Sequence, residues 1–340
     1  MIIPDWIIFC VAHTGGDSMY FPYLRGRQFE LIAIRELVSQ KLIGGQVIPI
    51  IEPVHLTNTL IKTLEVCSSQ KKQIGLVINP QVGSFAKEIA ANSSATTGMI
   101  DKYETLLKNN EENIVPVFIA KNDEEERVLK GIKDGKSIIL VCNDSDSLSL
   151  YKNLGVDLKG KIIFNLIKEE GRIKRSTRGL PNVLFVDNFN KRDRNADYSK
   201  CIDESYTDEN LFYKDEGFYG FGDYSVVGEK YSESGFAPYA VAIHIVYPVK
   251  NDEGEGQILR IHHFVSDSND DITDIAGKFG EAVSKLMKWN KEKKLRTKGI
   301  EELERLYAQR AFPGLGVVKK LSIMHHLQLM EELSKEGNES

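Results

Sequence analysis

The stretch VPVFIAK, residues 115–121, is followed by SIILVCN at 137–143, KIIFN at 161–165 and VLFVD at 183–187. Each is a short, mostly apolar run that ends in a polar residue, and these end residues are spaced by 22 positions. The spacing leaves room for one helix between consecutive runs. Because the runs are continuously apolar rather than alternating, they predict strands of a parallel sheet that is covered on both faces.

The same pattern extends in both directions along the chain. MYFPYLR at 19–25, VIPIIE at 47–52 and GLVIN at 75–79 end at polar residues that are 27 positions apart, and YAVAIH at 239–244 supplies a further run. The polar residues that end the runs are Arg25, Glu52, Asn79, Lys121, Asn143, Asn165, Asp187 and His244. Eight strand–helix units predict an α/β fold of the (βα)8 TIM-barrel type, whose active sites lie at the C-terminal ends of the strands.

A long connection interrupts this rhythm after the seventh run. It is rich in glycine and charge and carries seven aromatic residues between Phe212 and Tyr231, which argues against disorder. We therefore predict an ordered lid over the barrel mouth between strands seven and eight, and helices after the barrel. The predicted organisation is an N-terminal extension at 1–18 with Met19 as an alternative start, a barrel at 19–288 that includes the lid at 188–238, and a C-terminal helical appendage at 289–340.

Composition and charge narrow the class of protein. The net charge is −5 and the isoelectric point is about 5.9, so no overall basic field indicates binding to nucleic acid or to an anionic membrane. No run reaches the roughly 18 to 20 apolar residues of a membrane span. The four cysteines have no paired spacing, as expected for reduced thiols in the cytoplasm. We predict a cytoplasmic protein with no membrane partner.

One basic stretch, RIKRSTRG at 172–179, lies between the sixth and seventh strands. A run of positive charges of this kind most often indicates a solvated loop, which is the favoured interpretation. The alternative is contact with a phosphate backbone or an acidic partner. Nucleic acid therefore stays open as a partner.

Three strand-end residues are candidates for catalysis: Glu52, Asp187 and His244. Glu52 follows an apolar run and precedes Pro53, a position suited to a general base, although an internal ion pair with Arg25 would place the same carboxylate there. Asp187 and His244 end strands that are predicted to be neighbours, so they could act as an acid/base pair. Alternatively, His244 could be a metal ligand oriented by Asp187, but a histidine in an apolar strand is more often a core residue. No metal site is therefore predicted, and the sequence leaves a cofactor open.

The remaining strand ends and the lid supply candidate ligand-binding residues. Arg25 and Arg27 lie where a strand enters a helix, and a helix N-terminus with adjacent guanidinium groups suits a phosphate or carboxylate, the alternative being a surface turn. In the lid, Tyr219 and Tyr224 could stack on a planar ligand, the alternative being an aromatic plug. The candidates are Arg25, Arg27, Asn79, Lys121, Asn165, Tyr219, Asp223 and Tyr224.

Four stretches resemble one family of proteins. They are YFPYLRGRQFELIAIREL at 20–37, IPIIEPV at 48–54, GFYGFGDYSVVGEKYSESGFAPYAVAIH at 217–244 and HHFVSDS at 262–268. Together they resemble the bacterial and phage "beta protein" family, over a span from Met19 to about Lys288. The resemblance implies a barrel-like fold, a prokaryotic source, and genes near mobile elements or phage-defence loci. It implies no particular reaction.

Three functions are consistent with the sequence, and it leaves open whether the chain is an enzyme. The first is binding of a phosphorylated or nucleotide-like ligand at the barrel mouth, within an anti-phage defence or mobile-element system. The second is hydrolysis of a phosphoester or nucleotide at the same place. The third is a non-catalytic subunit of a nuclease or other effector, docked through the last helix. The helix residues predicted to dock are Leu321, Met324, Leu327, Leu329 and Met330, and His325 and His326 beside them are expected to face solvent or the partner.

Overall fold

The computed structural model describes residues 18–94, 96–121, 137–142, 148–153, 159–233, 238–251 and 256–336. Within these ranges, eight parallel strands close into a barrel, which confirms the predicted TIM-barrel-like class. In order around the barrel they are β1 (Tyr20–Leu24), β2 (Ile50–Ile51), β3 (Ile74–Val77), β4 (Ile114–Ile119), β5 (Ile138–Cys142), β6 (Ile162–Ile167), β7 (Asn182–Phe185) and β9 (Phe221–Asp223), while β8 (Asp203–Thr207) belongs to a second sheet. Asn143 and most of the predicted N-terminal extension lie outside the described residues.

Helices connect the strands of the barrel. They are α1 (Gln28–Ser39), α2 (Asn58–Ser69), α3 (Phe85–Ala91), α4 (Thr97–Asn109), α5 (Leu148–Asn153), α6 (Gly171–Ser176) and α7 (Glu209–Phe212). In α1, Leu31, Ile34 and Leu37 recur at a spacing of three residues and are buried, so one face of the helix covers the sheet. The second helix starts after Thr57, whose hydroxyl accepts a hydrogen bond from the backbone N–H of Leu60 at 3.2 Å.

Alternate side chains of the strands fill the barrel interior, which is therefore a packed core and not a channel. Phe21 and Phe164 meet edge to face with ring centroids 4.8 Å apart. Nearer the C-terminal ends of the strands, Tyr23, Phe185 and Tyr224 form an aromatic layer with centroid separations of 4.9 to 5.6 Å.

The stretch that we predicted to be a lid contains the eighth barrel strand. β9 pairs with both β1 and β7, and Gly222 lies opposite Phe21 on one side and Phe185 on the other. A Cβ at Gly222 would lie 3.0 Å from the Cβ of Phe21 and closer still to its carbonyl oxygen, so glycine permits the close approach. The placement of strand eight at the run that ends in His244 is therefore wrong. A strand reading FGD has too few apolar residues to match the repeated pattern.

The two long strands that follow β9 belong to a separate sheet. β10 (Ala242–Lys250) pairs antiparallel with β11 (Gln257–Val265), which pairs in turn with β8. His244 is thus at the start of β10, outside the barrel ring.

Three helices follow the second sheet: α8 (Ile275–Lys293), α9 (Lys298–Gln309) and α10 (Leu315–Glu336). α10 contacts α1, β1 and β10, so it packs against both the barrel and the second sheet. His325 and His326 are buried, which corrects the expectation that they face solvent or a partner. The five apolar residues predicted to dock on another protein are also buried within the chain: Leu321, Met324, Leu327, Leu329 and Met330. They form no exposed docking stripe.

Candidate functional site

The centre of the barrel mouth is closed by Arg25 and Glu52. Nη1 of Arg25 donates to Oε2 of Glu52, and the hydroxyl of Tyr23 donates to the same oxygen at 2.8 Å. The other carboxylate oxygen accepts the backbone N–H of Gln81 at 2.6 Å. Glu52 is fully buried, so every oxygen it could offer to a substrate already has a donor from the protein. The geometry is that of the internal ion pair considered as the alternative to catalysis.

Aromatic rings flank the guanidinium of Arg25. Its carbon lies 5.2 Å from the ring centroids of Tyr23 and Tyr224, and Nη2 donates to the carbonyl of Glu229 at 2.8 Å. Burial alone would lower the pKa of Arg25, but the carboxylate of Glu52 beside it raises the pKa above its usual value. Tyr224 is buried, and burial raises the pKa of its hydroxyl. Tyr224 therefore takes the position of the aromatic plug.

Two other strand-end candidates, Asn79 and Lys121, belong to this closure. The side chain of Asn79 accepts from the backbone N–H of Ile119 and donates to its carbonyl, both at 2.9 Å. The Asn79 side chain thus continues the hydrogen bonding between β3 and β4 beyond the last paired residues of β3. Nζ of Lys121 donates to the side-chain oxygen of Gln81 at 2.6 Å. Asn79 is buried, and its two hydrogen bonds to Ile119 are structural. Lys121 remains partly exposed at the rim.

Two predicted ligand-binding residues lie away from the mouth. Asn165 is in the middle of β6 and points to the helix layer, where it accepts from the Tyr151 hydroxyl at 2.7 Å and donates to Asn182 at 2.8 Å. Tyr219 precedes β9 and is therefore at the N-terminal end of the barrel, with half of its surface exposed. Neither residue can reach the mouth.

The two predicted aspartates have different environments. Asp223 is buried and accepts from the hydroxyls of Tyr20 and Tyr206 at 2.5 and 2.7 Å, so it joins the barrel to the second sheet. Asp187 is exposed at the mouth, and its Oδ2 accepts the backbone N–H of Glu229 at 2.8 Å. Partial burial raises the pKa of Asp187. Of the two, only Asp187 is accessible to a ligand.

The predicted pairing of His244 with Asp187 is replaced by a chain of two histidines and a glutamate. Nδ1 of His244 lies 2.8 Å from Nδ1 of His263, and Nε2 of His263 lies 3.1 Å from Oε1 of Glu204. Burial lowers the pKa of both imidazoles, so both are neutral near pH 7. Because the carboxylate can only accept, Nε2 of His263 carries its proton and Nδ1 of His244 donates to His263. That tautomer leaves Nε2 of His244 as an acceptor with no hydrogen-bond partner in the described ranges.

A pocket of about 710 Å³ opens at the C-terminal face, beside the closed centre. It lies between the loops that follow β1 and β2, and the chain segment 231–233 forms its other wall. Arg27 projects along this wall, with its guanidinium 4.7 Å from the ring centroid of Tyr231 and a hydrogen bond to the carbonyl of Ser232. The pocket is lined by Gly26, Arg27, Gln28, Val54, His55, Thr57, Thr59, Tyr231, Ser232 and Glu233.

His55 in this pocket is held in one tautomer. Its Nδ1 lies 2.8 Å from the hydroxyl of Ser84 and 3.0 Å from Oε1 of Glu88, and Ser84 itself donates to that carboxylate. Nδ1 therefore carries the proton and Nε2 is the acceptor. Burial would raise the pKa of Glu88, but hydrogen bonds from Ser84, the Leu56 amide and His55 hold it below its usual value. Nε2 of His55 lies 3.6 Å from Oε1 of Glu233.

Further cations gather along the rim next to Arg27. Lys191 donates to the carbonyl of Lys230 at 2.9 Å, and Lys319 lies 3.3 Å from the carboxylate of Glu30. Burial, followed by the positive charges of Lys319, Arg27 and Lys230, lowers the pKa of Lys191. We call Arg27, Lys191, Lys230 and Lys319 the rim cations. Lys319 is already paired with Glu30, and a further anion would relieve the repulsion that the other cations exert on Lys191.

Sequence reasoning predicted Arg27 but missed His55, Glu88 and Tyr231. It considered the first polar residue after each strand, and His55 is the third residue after Glu52. In the TIM-barrel fold the βα loops, and not only the strand ends, build the site. A histidine within the second βα loop was therefore the available signal.

No family model, no curated protein and no solved structure matches this chain. Within the described ranges, no helix combines the length and apolar character that crossing a membrane requires. Over the same residues, no group of three His, Cys, Asp or Glu side chains is arranged to hold a metal ion.

Proposed function

We propose that the protein binds a phosphorylated or nucleotide-like small molecule in the pocket at the barrel mouth. The supporting observation is that the pocket of about 710 Å³ contains the guanidinium of Arg27 and the oriented imidazole of His55. The setting that the family resemblance implies, anti-phage defence or a mobile element, is part of the same proposal.

Two helix N-termini support an anionic ligand. Arg27 precedes α1 without capping it through its side chain, so the N–H groups of the first turn are available to a ligand. The start of α2 contributes Thr57 and Thr59 to the lining. Both helix dipoles and the Arg27 fork favour a phosphate group. Glu233 is the acidic residue of the lining, and it faces His55.

The aromatic and polar lining gives the ligand an orientation. The ring of Tyr231 lies beside the guanidinium of Arg27. A ligand with its phosphate on Arg27 would place a neighbouring planar group against this ring. Nε2 of His55 can accept a hydrogen bond from a ligand hydroxyl or N–H, since Ser84 and Glu88 fix its tautomer.

Isothermal titration with inorganic phosphate and with adenosine monophosphate tests this proposal. We expect Arg27→Ala to weaken binding by about tenfold or more, since a charge-assisted hydrogen bond contributes about 1.5 to 3 kcal/mol. Arg296→Ala is the matched control, because Arg296 is exposed and outside the pocket lining. Equal affinities of the two variants, or no binding of either probe at millimolar concentration, would refute the proposal.

Hydrolysis of a phosphoester is a second candidate, favoured by the chain Glu204–His263–His244. Nε2 of His244, which has no hydrogen-bond partner among the described residues, would take a proton from water while the water oxygen bonds to phosphorus. The ester P–O bond breaks, and the alkoxide or phenolate leaves into solvent. Lys319 lies close enough to His244 to lower its pKa further, after burial and His263. The positive charge of Lys319 would favour an anionic group near this imidazole.

The hydrolase candidate is tested with p-nitrophenyl phosphate and bis-p-nitrophenyl phosphate. We expect turnover that is lost in His244→Gln and retained in the buried variant His325→Gln, which removes a histidine elsewhere in the fold. Absence of turnover in the wild-type protein, together with binding at the Arg27 pocket, would leave ligand binding as the function.

A further inference from the structure

A second pocket, of about 570 Å³, lies at the opposite end of the barrel. It is formed by α6 with the loop that leads to β7, and by the segment before β9. Both segments enter strands, so the pocket belongs to the N-terminal face, which the mouth site does not use. Its lining residues include Lys174, Arg175, Arg178, Phe218 and Tyr219.

The charged residues of this lining are all basic. Arg175 and Arg178 are exposed, and neither has an ion pair within the part of the chain that the structure describes. Lys174 lies 3.9 Å from Glu169, which is outside the lining, and its Nζ is 4.5 Å from the ring centroid of Phe218. An acidic protein with a net charge of −5 thus carries three cations in one pocket with no acid among the lining residues.

An aromatic ring is held beside these cations. The backbone N–H of Tyr219 donates to the carbonyl of Asn182 at 2.8 Å, which fixes the segment against the start of β7. The side chain is nevertheless half exposed. An exposed large ring on a fixed backbone offers a stacking surface at low entropic cost.

The combination of cations and an exposed ring indicates which class of anionic ligand fits this pocket. A carboxylate-rich peptide would use the cations and leave the ring in water. A nucleotide uses both, because its phosphate meets the guanidinium groups and its base stacks on the ring. Gly179 and Gly217 leave open space around the lining, where a Cβ would meet no atom within 4 Å. The opening suits a chain that enters and leaves.

We propose that this second pocket binds the nucleotide units of a single-stranded nucleic acid, with phosphates on Arg175 and Arg178 and a base on Tyr219. The site is independent of the ligand pocket at the barrel mouth. A free nucleotide has the same chemistry, so the experiment has to separate the two sources.

Fluorescence anisotropy with a labelled oligothymidylate and a labelled oligouridylate of about twelve nucleotides tests this site. We expect the double variant R175A/R178A to weaken binding at least tenfold and to reduce the slope of log K against log salt by about 1.4, which corresponds to two lost phosphate contacts. Tyr219→Ala should weaken binding about tenfold, whereas Tyr219→Phe should retain it. The matched control is K102A/K108A, which removes two exposed positive charges from α4.

Competition identifies the source of the nucleotide. If adenosine monophosphate displaces the oligomer at equal concentration of phosphate groups, the site takes free nucleotides, and weaker displacement assigns it to strands. The Arg27→Ala variant should bind the oligomer as the wild-type protein does. Equal binding by R175A/R178A and K102A/K108A, or equal displacement by polyglutamate, would overturn the proposal.

Discussion

Arg25 and Glu52, the residues that follow β1 and β2, form a buried ion pair across the centre of the barrel mouth. The side chain of Arg25 is 12% exposed and that of Glu52 is fully buried. Since the carboxylate also holds the Tyr23 hydroxyl and the Gln81 amide, the pair ties three βα connections together. A ligand at this face would therefore contact the surrounding rim rather than the barrel axis.

Replacing Arg25 by methionine should destabilise the fold by about 3 kcal/mol or more, because it leaves the buried carboxylate of Glu52 without its cation. The double variant R25M/E52Q should recover part of that loss, since no uncompensated charge remains. Urea denaturation of the wild type and of the variants R25M, E52Q and R25M/E52Q measures the coupling. Additive effects of the two single changes would contradict the ion-pair account.

The repeated apolar runs were sufficient to predict the barrel and its first seven strands, because parallel strands covered on both faces need continuous apolar sequence. The same rule placed Arg25, Glu52 and Asn79 at neighbouring strand ends, where the structure has them. It could not find β9, where close approach to Phe21 requires glycine instead of an apolar residue.

The hydrogen-bond partners of the candidate residues were less predictable than the positions of these residues at the strand ends. The sequence paired His244 with Asp187 by strand order, whereas the structure links His244 to His263 on the neighbouring strand of the second sheet. Such pairing depends on how two sheets are arranged in space, and one-dimensional spacing does not carry that information. His55 was missed because its hydrogen-bond partners, Ser84 and Glu88 at the start of α3, belong to a different βα connection.

Acid should destabilise the protein through His325 and His326. Burial lowers their pKa values to about 4 and about 3, below the value of about 6.5 in an unfolded chain. The unfolded state therefore takes up protons first, and stability that is complete above about pH 6.5 is lost as the pH falls toward 4. Each imidazole should contribute a slope of up to about 1.4 kcal/mol per pH unit in that interval.

The variants His325→Gln and His326→Gln isolate this contribution in urea denaturation at several pH values. Each should flatten the dependence of the unfolding free energy on pH between about 4 and 6.5 relative to the wild type. Between about pH 7 and 8, where both imidazoles are neutral in either state, the curves should run parallel. A slope unchanged in both variants would show that these histidines are protonated in the fold.

Replacing His263 by phenylalanine should reverse the tautomer of His244. In the wild type, His263 accepts the proton of Nδ1 of His244, and Glu204 accepts the proton of Nε2 of His263. Without this acceptor, His244 should revert to the Nε2–H form, which predominates in free imidazole side chains. Nitrogen-15 NMR of labelled histidine distinguishes the two forms directly. An Nε2–H tautomer already present in the wild type would contradict the proposed chain.

Gly83 should be far less tolerant of alanine than Gly179, although both have a positive φ, of 75° and 85°. A Cβ at Gly83 would lie 2.7 Å from the Cα of Val54 and overlap its carbonyl oxygen, which accepts from the amides of Ser84 and Phe85 at 2.8 and 3.0 Å. A Cβ at Gly179 would meet no atom within 4 Å. Gly179→Ala should therefore cost about 1 kcal/mol for the backbone conformation alone, and Gly83→Ala about 3 kcal/mol or more.

Because Ser84 orients His55, Gly83→Ala should also weaken phosphate binding at the mouth pocket, while Gly179→Ala leaves it unchanged. Urea denaturation and calorimetric titration of the two variants check both expectations, and similar losses of stability would show that the loop before α3 can move away from Val54.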